Sequence, residues 1–155
     1  MTAVGSVVIT PVGGGRPHRI GPDRFWLKDG VDPGSDGFSV IEYEGSPGVP
    51  GPPPHLHRAF DEAWFVLEGE VRFRSPRPST VLGRGAYAFV PRGTPHTFEV
   101  VGDRPARWIG VFAPARYVAL LEELGVLLAA VGPPDPESIR TLFGRYETEL
   151  AETVP

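Results

Sequence analysis

Three histidines and one glutamate stand at spacings that can bring their side chains to a common point. In His55-Leu56-His57 the two imidazoles share one face of a strand, because alternate residues of a β-strand point the same way. Glu62 follows five residues after His57 and opens the run Glu62-Ala63-Trp64-Phe65-Val66-Leu67, from which it can point inward beside them. His96 follows the turn Pro91-Arg92-Gly93-Thr94-Pro95, which aims a third imidazole from another strand. Three imidazoles and one carboxylate form a mixed N/O donor set suited to Fe, Mn, Ni, Co, Cu or Zn, with a position left for water or substrate. Mg²⁺ and Ca²⁺ prefer more oxygen ligands. With no cysteine in the chain, thiolate ligands, thiol nucleophiles and disulfides are excluded, so His and carboxylates must carry any metal or acid/base chemistry.

A His-X-His pair alone is met more often as two surface or hydrogen-bonded histidines than as two ligands. What shifts the balance is its combination with Glu62, Gly69, Gly85, Pro91, Gly93 and His96. Other residues are less telling. His18 lies in a polar Gly-rich stretch with no local partner pattern and is expected to be solvated. Asp61 has the wrong strand parity for the site and is expected at the surface. Trp64 and Val66 share parity with Glu62, and Phe98 and Val100 with His96, so these four either line a substrate pocket or fill the interior. No Ser-His-Asp arrangement stands out, and Gly13-Gly14-Gly15 is not followed by the helix that a phosphate-cradling loop needs.

The elements that must position these groups read as short strands. Runs at 7–12, 24–28, 38–44, 62–67, 71–74, 86–91, 97–101 and 107–112 are β-rich and mostly bounded by Gly, Pro, Asp or Ser. Such spacing is that of an all-β sandwich or barrel. Gly69, between two strand-like runs, sits where a hairpin needs a residue that tolerates positive φ. The stretch 45–54 holds five prolines and reads as a stiff loop leading into the histidines. From about residue 115 the pattern becomes helical. Tyr117, Leu120, Leu121, Leu124, Leu127 and Leu128 form one apolar stripe over 115–131. A second helix is expected from Asp135 as N-cap and Pro136 at the first helical position, through Ile139, Leu142, Phe143, Tyr146 and Leu150. The division is therefore a barrel over 1–114 and a helical extension over 115–155, packed on the barrel or on a partner subunit.

Composition sets the remaining bounds. The chain has 155 residues, 41% hydrophobic and 22% charged, close to ordinary globular values and enough for a single core. A formal charge of −4, with no basic stripe, gives a field that repels a phosphate backbone, so no nucleic-acid partner is expected. No apolar run reaches the length of a membrane span. Residues 1–11 lack a basic stretch followed by an apolar one, so a cytoplasmic location is the expectation.

The motifs resemble those of the cupin superfamily. Its first motif, His-X-His, three or four residues, Glu, six residues, Gly, is similar to His55-Leu56-His57, four residues, Glu62, six residues, Gly69. Its second resembles Gly85, five residues, Pro91, one residue, Gly93, two residues, His96. Two positions depart: Val49 stands where the first motif usually begins with glycine, and Val100 where the second usually ends with asparagine. The resemblance implies an all-β double-stranded β-helix, a jelly-roll barrel, here with C-terminal α-helices. It further implies His55, His57, Glu62 and His96 as ligands of a divalent transition metal, and often a homodimer. The run 61–70 looks like that of quercetinase-type cupins. That likeness implies a metal-dependent oxidoreductase, dioxygenase-like, acting on an enolisable or aromatic small molecule, with Glu62 moving between ligand and catalytic base. A polyketide cyclase or isomerase working without O₂ and a non-catalytic small-molecule-binding cupin are the alternatives.

Overall fold

The computed structural model describes residues 7–11, 13–28, 36–130 and 134–154. Among the described residues eleven strands run β1 (Arg16–Ile20), β2 (Asp23–Leu27), β3 (Ser39–Gly45), β4 (His55–His57), β5 (Asp61–Glu68), β6 (Glu70–Arg74), β7 (Thr80–Leu82), β8 (Tyr87–Val90), β9 (Thr97–Val101), β10 (Ala106–Ala113) and β11 (Thr148–Leu150). A 3₁₀ turn (Ala115–Val118) and two helices, α1 (Ala119–Leu128) and α2 (Pro136–Arg145), lie between the last two strands. All strand pairs are antiparallel. They form a six-stranded sheet in the order β1-β2-β3-β10-β5-β8, a three-stranded sheet β7-β6-β9 and a pair β11-β4. This is a jelly-roll arrangement of two facing sheets, with the C-terminal helices added.

Period-two patterning places the core. Along β10 burial alternates strictly, with Trp108 and Phe112 turned inward. Trp108 stacks on Tyr43 with centroids 4.5 Å apart and on Trp64 at 5.0 Å. Phe98, from the opposite sheet, meets Trp64 edge-on at 4.6 Å, so aromatic contacts join the two sheets. The β5–β6 hairpin turns at Gly69, whose φ is 71°. A Cβ there would stand 2.7 Å from the Pro105 carbonyl oxygen, so positive φ and close approach both call for glycine.

Three expectations are corrected. Residues 7–11 form no strand, and Val12 lies outside the described residues; Val7, Val8 and Ile9 are largely exposed, and β-propensity without a pairing partner does not make a strand. The polar stretch around His18 is instead β1, paired with β2. His18 is not solvated: it stacks on Phe25 at 4.8 Å and its Nε2 lies 3.1 Å from Glu122 of α1. The third correction concerns α2. It starts as the sequence predicts, with Asp135 accepting from Ser138 N at 3.1 Å and Pro136 in the first turn, but it ends at Arg145. Glu147 adopts a left-handed φ of 49°, and Leu150 belongs to β11, which pairs with β4. Among the described residues no helix is long and apolar enough to cross a membrane.

Candidate metal centre

β4 supplies two imidazoles by simple alternation: His55 and His57 point inward and are buried, with Leu56 between them on the other face. His96 arrives through an isolated antiparallel bridge to His55, in which His55 N donates to His96 O at 3.0 Å and His96 N donates to His55 O at 2.8 Å. The turn before it is tied down twice. Gly93 N donates to the His57 carbonyl, and Arg92 pairs with Asp61 at 2.9 Å. Asp61 thus faces away from the centre and steadies the turn that delivers His96. Glu62, one residue on, points inward from β5.

The three histidines cluster, and Glu62 approaches two of them. The three histidines offer ligand atoms that all lie within 4.8 Å of one another. Glu62 Oε1 is 3.4 Å from His57 Nε2, and Oε2 is 3.2 Å from His96 Nε2. A cation about 2.1 Å from each donor would set neighbouring donors roughly 3.0–3.4 Å apart, and both carboxylate contacts fall in that span. These approaches are short but not aligned as hydrogen bonds. His57 Nε2, His96 Nε2 and Glu62 Oε2 are buried without a hydrogen-bond partner, an arrangement that native proteins rarely tolerate unless something else fills it.

For His55 and His96 the outer ring nitrogen sets the tautomer. His55 Nδ1 lies 2.8 Å from the Pro53 carbonyl oxygen, and His96 Nδ1 lies 3.0 Å from that of Thr94. A carbonyl only accepts, so both Nδ1 atoms donate and a neutral ring keeps its Nε2 lone pair for the centre. His57 Nδ1 is 2.9 Å from Thr148 Oγ1. Burial pushes the His55 pKa down to about 3, helped by the neighbouring His96 and His57 rings. For Glu62 burial acts upward, but His57 and His96 outweigh it and hold the carboxyl well below its usual range. For His96 burial acts downward, and the Glu62 carboxylate reverses it, so the ring is more basic than usual. An ionised carboxylate beside imidazoles is a donor set that fits a divalent transition metal.

Aromatic rings enclose this cluster: Phe60 stacks on His57 at 4.0 Å, Phe73 on His96 at 5.8 Å, and Phe143 of α2 lies 6.3 Å from His55. Of the residues expected to line a pocket, Trp64 and Phe98 contact each other and Val66 is fully buried. Val100 pairs with Val71 and packs against the same core. Those four side chains pack in the barrel interior, and Trp64 is linked to His96 through Phe73. Thr148, Phe60, Phe73 and Phe143 were not singled out in the sequence. Phe60 lies inside the first motif and Phe73 on a β6 run already read as a strand, whereas Thr148 carries no local signal.

Residues 42–112 match the family model described as the cupin domain. This segment includes the three clustered histidines and Glu62. Among solved structures, the chain is similar to an RmlC-like cupin from Shewanella frigidimarina, with 21% identity, 72% of this chain and 94% of that one covered, and a TM-score of 0.60. It is similar to TT1209 from Thermus thermophilus, with 27% identity, 70% and 99% coverage and a TM-score of 0.56. It is also similar to the polyketide cyclase RemF from Streptomyces resistomycificus, with 29% identity over 59% of this chain and 64% of that one, and a TM-score of 0.50. No curated protein matches the chain. The segment 42–112 is thus similar to the cupin domain, and the fold as a whole is similar to solved cupin structures.

Proposed function

We propose that the protein is a metal-dependent enzyme acting on a small enolisable or aromatic molecule, with His55, His57, Glu62 and His96 as the metal ligands. The observation that carries this reading is the buried three-histidine cluster with Glu62 beside two of its rings, in which His57 Nε2, His96 Nε2 and Glu62 Oε2 have no hydrogen-bond partner. A divalent ion held there would polarise a substrate oxygen and, if redox-active, support chemistry with O₂. The chain's own part is to orient and to move a proton. Glu62, kept ionised by its histidine neighbours, can accept a proton from an acidic C–H or O–H of the substrate. The Nδ1 contacts to Pro53, Thr94 and Thr148 fix the ring orientations. Phe60, Phe73 and Phe143 exclude bulk water from the reacting groups.

Two reaction classes share this proton-accepting step. The dioxygenase-like reading rests on the run 61–70, Asp61-Glu62-Ala63-Trp64-Phe65-Val66-Leu67-Glu68-Gly69-Glu70. The second, a cyclase or isomerase that needs no O₂, is favoured by the 29% identity to the polyketide cyclase RemF. The test is metal analysis of protein purified without added metal, followed by aerobic and anaerobic turnover of flavonols, other enolisable aromatics and linear polyketides. About one equivalent of a transition metal is expected. O₂ uptake coupled to turnover assigns the oxygenase class, and equal turnover without O₂ assigns the cyclase or isomerase class. Metal-loaded protein that binds these molecules unchanged is a binding cupin. Protein that neither retains nor rebinds a transition metal overturns the reading.

A further inference from the structure

His57 differs from the other two histidines in what holds it. The Nδ1 atoms of His55 and His96 are each held by a carbonyl two residues away in the chain. His57 Nδ1 is held by a side chain 91 residues distant, Thr148 Oγ1, well outside the matched cupin segment. A hydroxyl can donate or accept, so this contact alone does not fix the tautomer. A second contact of Thr148 offers its proton another acceptor: Oγ1 lies 3.2 Å from the Tyr146 carbonyl oxygen, which can only accept. With the hydroxyl proton donated there, Oγ1 presents a lone pair to His57 Nδ1, and Nδ1 carries the proton.

The tail is built to hold this residue in place. Thr148 stands directly opposite His57 in the β11–β4 register and is buried. Arg58 N donates to Glu147 O at 2.8 Å, and Ala151 N donates to Pro54 O at 2.8 Å. Arg58 pairs with Glu149 at 2.7 Å, and Tyr117 Oη donates to Glu147 at 2.9 Å. A three-residue strand is therefore anchored on both sides of Thr148.

We propose that Thr148 is a positioning residue for the centre: its hydroxyl locks His57 as the Nδ1–H tautomer and turns the Nε2 lone pair inward, so the C-terminal strand completes a site whose ligands all lie in the barrel. The metal part of this statement rests on the proposed function; the tautomer part does not.

The test compares wild type with Thr148→Val, which keeps shape and β-branching but loses the hydroxyl, and with Thr148→Ser, which keeps the hydroxyl. Long-range ¹H–¹⁵N NMR of metal-free protein reads the His57 tautomer, and chelator competition reads cobalt affinity. Wild type and the Ser variant are expected to hold Nδ1–H, and the Val variant to show the other tautomer or a mixture. Cobalt affinity is expected to fall about 10–100-fold in the Val variant, the usual cost of losing a partner behind a ligand, and to recover in the Ser variant. Far-UV circular dichroism confirms that each variant is folded; Thr148→Ala serves as a second hydroxyl-free probe should the Val variant melt too low. A Val or Ala variant that keeps both tautomer and affinity overturns the assignment. Wild type that binds no cobalt, while the tautomer still depends on Thr148, sinks the metal reading and leaves the positioning role standing.

Discussion

His55 and His96 face each other across a single antiparallel bridge and exchange both backbone hydrogen bonds, at 3.0 and 2.8 Å. Two candidate ligands from separate motifs are thereby held as one backbone unit, with ring centroids 4.5 Å apart. His57 is joined to the same unit through β4. Because backbone pairing and apolar burial hold this frame, removing one imidazole should empty the site without unfolding the barrel. His57→Ala is expected to lose nearly all bound metal and to keep the β-rich circular dichroism of wild type. Stoichiometric metal in that variant would show that His57 is not a ligand.

Acid should weaken the metal-free protein through His55. Its folded pKa is about 3 against an ordinary 6.5, so the unfolded chain takes up a proton that the native state refuses. Stability from this group is present above about pH 6.5 and is lost as pH falls from there toward 3. Glu62, held low, contributes above its unfolded value and is lost only at still lower pH. His96, held high, acts with opposite sign: its contribution is present below pH 6.5 and lost above its folded pKa. The large His55 displacement should dominate between pH 6.5 and 5, so the melting temperature should fall with acidification there and fall less in His55→Leu. Parallel melting profiles for the two proteins would refute this account.

What the sequence made legible was local. Alternation in His55-Leu56-His57 and the turn before His96 pointed to the three histidines that cluster, because period-two geometry and a tight turn are set by neighbouring residues. Asp135 and Pro136 announced the start of α2 for the same reason. Thr148 stayed hidden, since its meaning comes from pairing with a strand 91 residues earlier, and its apolar neighbours fit a helical stripe equally well. His18 was misread because its partner, Glu122, lies on a helix far along the chain. The run at 7–12 differs the other way: it has strand-like residues, but over 7–11 no strand among the described residues pairs with it.

Gly51 is the glycine of the proline-rich loop that the structure cannot replace. A Cβ there would stand 1.5 Å from the Phe98 carbonyl oxygen and 2.7 Å from its carbon, and the obstacle is strand backbone of β9, which pairs with β6, not the end of a flexible side chain. The loop continues into Pro53, whose carbonyl orients His55, so a shift at Gly51 should reach the centre. Gly51→Ala is expected to cost about 3 kcal/mol or more in denaturant unfolding, in the range reserved for core-level damage, and to weaken metal binding in the same preparation. An Ala variant as stable as wild type would mean that this close approach does not exist in solution.

Trp64 decides whether the residues beside the centre form a wall for substrate or the packing of the barrel. It is 6% exposed and touches three rings: Trp108 at 5.0 Å and nearly parallel, Phe98 at 4.6 Å and Phe73 at 5.6 Å, both edge-on. Phe73 in turn stacks on His96, so the same ring supports both the core and a ligand. Packing of this kind makes Trp64→Ala cost about 3–5 kcal/mol, as for other buried aromatic truncations, whereas Trp64→Phe should recover most of that loss. Both are read from urea unfolding of the metal-free protein, where no substrate contact enters. A Trp64→Ala variant that loses less than about 1 kcal/mol, the ordinary effect of a residue away from such features, would move Trp64 out of the core and into the wall of a pocket.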